Sequence, residues 1–397
     1  MLFNLLEITR QFLIETGLYR FAQILDQQVF RVFAAGLLAF AIMLVSGRPF
    51  IARLVRMKIG DAARFDVRAL EAAMKSKANT PTMGGLLIAA AIFISTFLLA
   101  DLTNPYVQYG LVVLVWHALL GGVDDWLKLT AQRRGGGRQG LHAWEKLVFQ
   151  LGIGLLIGYF AWEVPLRVPD APDFPLAHAV NWPFVKTYDH PAAEPAGHLI
   201  FMGAITYTLV MTLMMAGMSN AVNITDGMDG LASGVATCVA IGIVVLCFIA
   251  GSESIARDLL VPYVWKADEL AVLAAAMGGA CLGFLWFNCA PAAVFMGDTG
   301  SLCLGGLVGY LAVVLRQEFV VLVMSGIFLI EIVSVVLQVG YFKATKDANG
   351  QGKRIFRCAP YHWHLHMGGL GEQKIVARFW IISIVLTAIA LGSLKLR

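Results

Sequence analysis

The chain has 397 residues, of which 58% are hydrophobic and only 14% are Asp, Glu, Lys or Arg, where soluble domains carry about 25% charged residues. A soluble multidomain enzyme, a disordered protein and a disulfide-stapled secreted domain are excluded, because none keeps that much apolar surface in water with so few charges. The formal charge of +4, with no basic run interleaved with aromatics, leaves no footprint for a nucleic-acid partner. The composition predicts an all-α polytopic membrane protein, a single integral domain over 1–397.

In chain order, residues 1–29 mix Leu, Phe and Ile with Glu7, Arg10, Glu15 and Arg20, without the basic, then apolar, then small-residue order of a cleaved signal. They are expected to form an interfacial helix. A spanning helix needs about 20 mostly apolar residues, and ten such runs follow: 30–47, 83–100, 106–123, 147–163, 199–218, 230–250, 268–288, 300–315, 319–341 and 375–394. An even number places both termini on one side. The intervening segments 48–82, 124–146 and 342–378 hold 8, 5 and 7 of the 30 Lys and Arg, so the positive-inside rule puts them in the cytoplasm and both termini in the periplasm. The Pro-rich segment 164–198 then lies outside as a periplasmic loop long enough for a small hairpin. Six cysteines form no CxxC pair, and all but Cys358 lie in or beside apolar runs, where Cys acts as a small hydrophobe.

Polar clusters gather at the cytoplasmic helix ends rather than at the midplane where a transporter binds its cargo. Asp124-Asp125 closes the third run, with Lys128 one turn on. Adjacent carboxylates are costly without a cation nearby, so the pair reads either as a solvated helix end or as a Mg²⁺ or phosphate site. Asn220, Asn223, Asp226 and Asp229 recur every three residues, which predicts one face of a helical turn. Asn288 precedes Phe295-Met-Gly297-Asp298-Thr-Gly300-Ser301, in which the glycines let backbone amides approach phosphate, Asp298 is a hard ligand, and Phe295 offers a stacking face or an interfacial anchor. Lys77 with Thr80, Thr82, Gly84 and Gly85 suits a diphosphate or simply a capped helix start. In the loop 342–374, His362, His364 and His366 alternate and would share one face of an extended segment. Glu331 lies near the centre of the ninth run, with Ser334 and Gln338 on the same helical face. An ionisable group there costs at least ~2.5 kcal/mol and is functional by default. It favours a transporter or flippase, or else supports the cytoplasmic site from beneath.

Mg²⁺ is held by one or two carboxylates plus the substrate's own phosphates, so five aspartates on one surface with Lys77, Lys128 and His362 predict phosphoryl transfer between a nucleotide conjugate and a lipid phosphate. The strings Thr80 to Gly85 (TPTMGG), Asp124-Asp125, Asn223 to Gly230 (NITDGMDG), Phe295 to Ser301 (FMGDTGS) and the Phe356-Arg357…Ala359-Pro360…His362 loop resemble the phospho-N-acetylmuramoyl-pentapeptide transferases. These belong to the polyprenyl-phosphate N-acetylhexosamine-1-phosphate transferases. The resemblance runs in order from about residue 18 to the C-terminus. It implies a bacterial inner-membrane enzyme that moves phospho-N-acetylmuramoyl-pentapeptide from its UDP conjugate to undecaprenyl phosphate, with Mg²⁺, releasing UMP. By the same resemblance Asp124, Asp125, Asp298 and His362 are catalytic, with the metal on Asp298 and Asp125. Lys77, Thr82, Lys128, Asn220, Asn223, Asp226, Asp229, Asn288, Phe295 and His364 bind substrate, and the chain forms a homodimer. The His loop departs from the family, since Trp363 replaces the middle of three consecutive His and Leu365-His366-Met367-Gly368 follows. That departure also admits the sister enzymes that transfer N-acetylglucosamine phosphate to a polyprenyl phosphate.

Overall fold

The computed structural model describes residues 1–57, 80–131, 140–167, 175–189, 195–347 and 350–395. The main helices are α1 (Leu2–Glu15), α2 (Gln28–Arg56), α3 (Gly85–Leu99), α4 (Pro105–Ala131), α5 (Ala143–Glu163), α6 (Ala204–Thr225) and α7 (Leu231–Gly251), followed by α8 (Leu270–Asn288), α9 (Gly297–Val314), α10 (Glu318–Met324), α11 (Gly326–Ala344), α12 (Tyr361–His366) and α13 (Glu372–Ser393). Among the described residues, nine helices are long and apolar enough to cross a membrane: α2, α4 to α9, α11 and α13. α3, at 15 residues, is a shorter apolar helix.

Helices in a bilayer associate by close packing of small residues rather than by expelling water. α9 is the axis of this bundle: 89% of its apolar stretch is buried, against 28% in α2 and α13 and 22% in α11. It packs chiefly on α6 and α4, α5 packs on α6, and α8 sits between α2 and α7. The contact between α9 and α6 rests on Gly305 and Gly309, where a Cβ would lie 2.3 Å and 2.4 Å from the carbonyl oxygens of Met218 and Met214. The polar residues at the start of α9 are therefore surrounded by protein.

Two buried arginines fasten the end of the bundle remote from the acidic clusters. Arg31 pairs bidentately with Glu269, Nη2 to Oε2 at 3.0 Å, and Glu269 also accepts the Asp101 N–H at 2.7 Å. Arg316, fully buried, donates from Nε to the Ala179 carbonyl at 3.0 Å, while Asn181 donates to the Arg316 carbonyl at 2.6 Å. This clamp holds the described part of the 164–198 segment. Its described residues carry two isolated antiparallel bridges, Ala179 with Phe201 and Tyr188 with Pro195. α1 is docked by Asn4, which donates to Asp101 at 2.8 Å and accepts the Leu102 N–H at 2.9 Å.

Three local expectations are overturned. Asp124 and Asp125 do not end a helix; α4 continues to Ala131, because both carboxylates find partners on neighbouring elements. The run 319–341 is divided at Ser325, where α10 stops before Gly326 opens α11, a pairing that commonly breaks a helix. The alternating histidines are helical, not extended, since α12 spans Tyr361–His366 and its early His362 N–H is accepted by Glu331 of α11.

Candidate active site

The site is assembled where α4 crosses the start of α9. A Cβ on Gly121 would lie 2.2 Å from the Asp298 carbonyl oxygen, so only glycine lets the two helices meet this closely one turn before Asp124 and Asp125. Asp125, 3% exposed, then caps α9 from outside. Its Oδ1 accepts the Asp298 N–H at 3.0 Å, and its Oδ2 accepts the Thr299 N–H at 3.0 Å and the Thr299 hydroxyl at 2.6 Å. A carboxylate has about four lone-pair sites, so roughly one remains. Gly297, at φ +74, takes a left-handed turn open to glycine, and a Cβ there would meet Asp125 Oδ2 at 2.7 Å and Thr82 Oγ1 at 3.0 Å.

Asp124, Asp125 and Asp298 bring one carboxylate oxygen each to within 4.8 Å of one another. Two ammonium groups offset their charge. Lys128 Nζ lies 2.8 Å from Asp124 Oδ2 and 3.2 Å from Asp298 Oδ1. Lys146 Nζ, from the first turn of α5, reaches Asp124 Oδ2 at 2.8 Å and also binds Asp298 Oδ2. Asp124, fully buried, accepts the Leu141 N–H as well, at 2.6 Å. Three hard carboxylates at this spacing have the donor chemistry of a divalent-cation site that a diphosphate would complete.

Around this centre the other sequence candidates fall into distinct places. Asp226 stands just beyond the C-terminus of α6 and accepts a backbone hydrogen bond from Gly297. Burial, then the facing Asp298 and Asp125 carboxylates, push it up to about 7. Asn223 donates to Ser301 Oγ at 2.9 Å, and Asn220 donates to Gln150 Oε1 at 2.7 Å and to the Ala216 carbonyl at 2.8 Å. The expected single helical face is not formed, because α6 ends at Thr225 and Gly230 turns left-handed at φ +79. Asp229 instead accepts the Ala292 N–H at 3.1 Å. Asn288, 2% exposed, receives Gly230 N–H at 3.0 Å and Ser233 Oγ at 3.2 Å and donates to the Val294 carbonyl at 2.9 Å. Phe295 is half-buried and bridges the Thr80 to Gly85 string by backbone bonds to Pro81 and Gly84 at 2.8 and 2.9 Å. Lys77 lies outside the described residues.

His362 is buried against Glu331. His364 turns another way, its Nδ1 accepting the Arg357 N–H at 3.1 Å and its ring stacked on Tyr361. Lys146 escaped the sequence reading because 22 residues separate it from Asp124 and it resembled any other positive-inside lysine. Thr299 lay in the quoted string without a role.

Comparison with known proteins decides among the chemistries this cluster allows. The description "Glycosyl transferase family 4" fits residues 107–316, and "Phospho-N-acetylmuramoyl-pentapeptide-transferase signature 1" fits residues 77–88. Curated relatives of that name include one from Neisseria meningitidis serogroup C, 40% identical over 94% of this chain and 96% of its own length. Another, from Chlorobaculum tepidum, is 37% identical over 94% and 95%, and one from Desulfotalea psychrophila is 38% identical over 92% and 93%. The chain belongs to the phospho-N-acetylmuramoyl-pentapeptide transferase family. The acidic centre on α4 and α9 lies within the family 4 match, and Thr82 within the transferase signature.

Proposed function

We propose that the protein transfers phospho-N-acetylmuramoyl-pentapeptide from its UDP conjugate to undecaprenyl phosphate, forming the first lipid-linked peptidoglycan precursor and UMP. The observation that carries this reading is the interlocked set of Asp124, Asp298, Lys128 and Lys146 at one end of an apolar bundle, where a lipid phosphate and a soluble diphosphate can meet. An oxygen of the lipid phosphate attacks the β-phosphorus; that P–O bond forms while the bond from the β-phosphorus to the bridging oxygen breaks, and UMP leaves. The attacking phosphate has a second pKa near ~6 and needs little deprotonation at pH 7. Asp124 therefore acts on the lipid phosphate mainly by orientation, through the two lysines.

Mg²⁺ is the proposed metal, on Asp298 with Asp125 beside it, and supplies charge neutralisation of the diphosphate when bound. Lys128 and Lys146 draw the phosphates into line. Thr82, Asn220, Asn223, Asp226 and Asp229 serve the nucleotide and diphosphate, Lys77 is assigned to the same substrate by the resemblance alone, and Asn288 shapes the turn that presents Phe295 to the uracil. His362 and His364 serve the sugar side. In this reading the nine long helices and α3 make ten spans of the bacterial inner membrane, both termini are periplasmic, α1 lies in the interface, and the site faces the cytoplasm. The homodimer is carried by the family resemblance alone.

The test is UMP release from UDP-N-acetylmuramoyl-pentapeptide by the purified protein with undecaprenyl phosphate, with Mg²⁺ or EDTA, beside UDP-N-acetylglucosamine as rival donor. Mg²⁺-dependent release from the muramoyl donor is expected. Release from the rival donor alone would move the chain to the sister transferases.

A further inference from the structure

Glu331 is a carboxylate inside an apolar helix and is fully buried. All three of its hydrogen bonds to α12 go to a single residue. Its oxygens accept the His362 N–H at 3.2 and 3.3 Å, and Oε2 lies 3.0 Å from His362 Nδ1. A carboxylate only accepts, so this contact places the ring proton on Nδ1 and leaves Nε2 as the free face of the imidazole. That Nε2 is buried and has no hydrogen-bond partner among the described residues. It is aimed at the backbone of residue 227, where a Cβ would lie only 2.4 Å from it. Trp363, its ring centroid 5.4 Å from that of His362, brings Nε1 to 3.4 Å of the same point. Gly227 directly follows Asp226 at the edge of the acidic centre.

We propose that Glu331 is a positioning residue that holds His362 in the Nδ1–H tautomer, so that Nε2 accepts a hydrogen bond from an N–H or O–H of the donor's sugar or peptide. A lone pair on Nε2 repels a phosphate oxygen and attracts a hydroxyl or amide proton. His362 thereby reads the sugar side of the donor, not its diphosphate. The inference rests on the proposed reaction and deepens it.

The experiment uses the full-length protein in detergent, labelled with ¹⁵N-histidine, with the His362 signals assigned by their loss in His362→Asn. The wild type is expected to show a neutral Nδ1–H ring. In Glu331→Gln the side chain offers one acceptor oxygen and a donating NH₂; with the oxygen kept by the backbone N–H, the ring moves to Nε2–H. kcat/KM for the UDP donor should then fall on the order of a hundredfold, while KM for undecaprenyl phosphate stays within about twofold. Glu331→Asp, which keeps a carboxylate, should recover most of the loss. An imidazolium or Nε2–H ring in the wild type, an unchanged tautomer in Glu331→Gln, or equal losses toward both substrates would overturn the proposal. Absence of UMP release by the wild type would instead remove the proposed reaction, and the tautomer measurement needs no turnover.

Discussion

The acidic centre on α4 and α9 and the histidine arm on α11 and α12 both bury ionisable groups, yet they are secured in different ways. Asp124, Asp125 and Asp298 are cross-linked by two lysines, two backbone amides of α9 and a threonine hydroxyl, and they gather at the start of α9, the most enclosed of the nine long helices. His362 hangs on one carboxylate of a largely peripheral helix, and its loop is further tied by Gln338 Oε1, which accepts the Ile355 and Phe356 N–H groups at 3.1 and 2.9 Å. A charge removed from the first region leaves several partners unpaired, whereas a change in the second moves one loop. On the proposed reading, the densely linked centre suits the step common to every donor, and the more lightly tethered arm suits discrimination among donors.

The largest effect that would test this contrast is expected for Asp298→Asn: UMP release should fall on the order of a thousandfold or more, since charge stabilisation at a reacting phosphate is the largest catalytic contribution. A modest loss would deny the centre its role. Lys146→Met should come next, lowering kcat on the order of a hundredfold, with kcat/KM falling alike whether the UDP donor or undecaprenyl phosphate is varied. Gly121→Val probes the architecture alone. It pushes α4 from α9 where the opposing atom is backbone, and should destabilise the fold by about 1–3 kcal/mol, read as a lower midpoint in a detergent thermal melt with activity lost in parallel.

In the arm the effects should be smaller and selective. Trp363→His, which supplies the histidine that the resemblance implies there, should alter KM for the UDP donor by less than about tenfold and leave KM for the lipid unchanged. Gln338→Ala removes one acceptor shared by two loop amides and should raise donor KM by about fivefold, the worth of roughly one hydrogen bond. If Trp363→His instead abolished turnover, the arm would belong to the common chemistry and the contrast would fail.

The apolar runs were legible because bilayer thickness imposes a length that composition alone reveals; among the described residues, nine of the ten hold a helix long enough to span, while 83–100 holds only the 15-residue α3 and 319–341 is divided at Ser325. The aspartates were legible because carboxylates beside glycines at membrane-helix ends are too costly to be incidental. Lys146 was not, since its partner lies on another helix and no local pattern marks a long-range ion pair. The expected common face of Asn220, Asn223, Asp226 and Asp229 failed for a related reason: the helix stops at Thr225, and each side chain then answers to a different neighbour.

By itself, the order of residues determined the helical bundle, the gathering of polar groups at one end and the resemblance to a transferase family, because hydropathy, charge bias and short strings act locally. Only the tertiary structure decided that Asp125 caps α9, that Lys146 joins Asp124 to Asp298, and that Glu331 holds His362. Each of these is a contact between helices, set by how closely their backbones approach, as at Gly121. Such a distance is a property of packing, which no single segment of sequence contains.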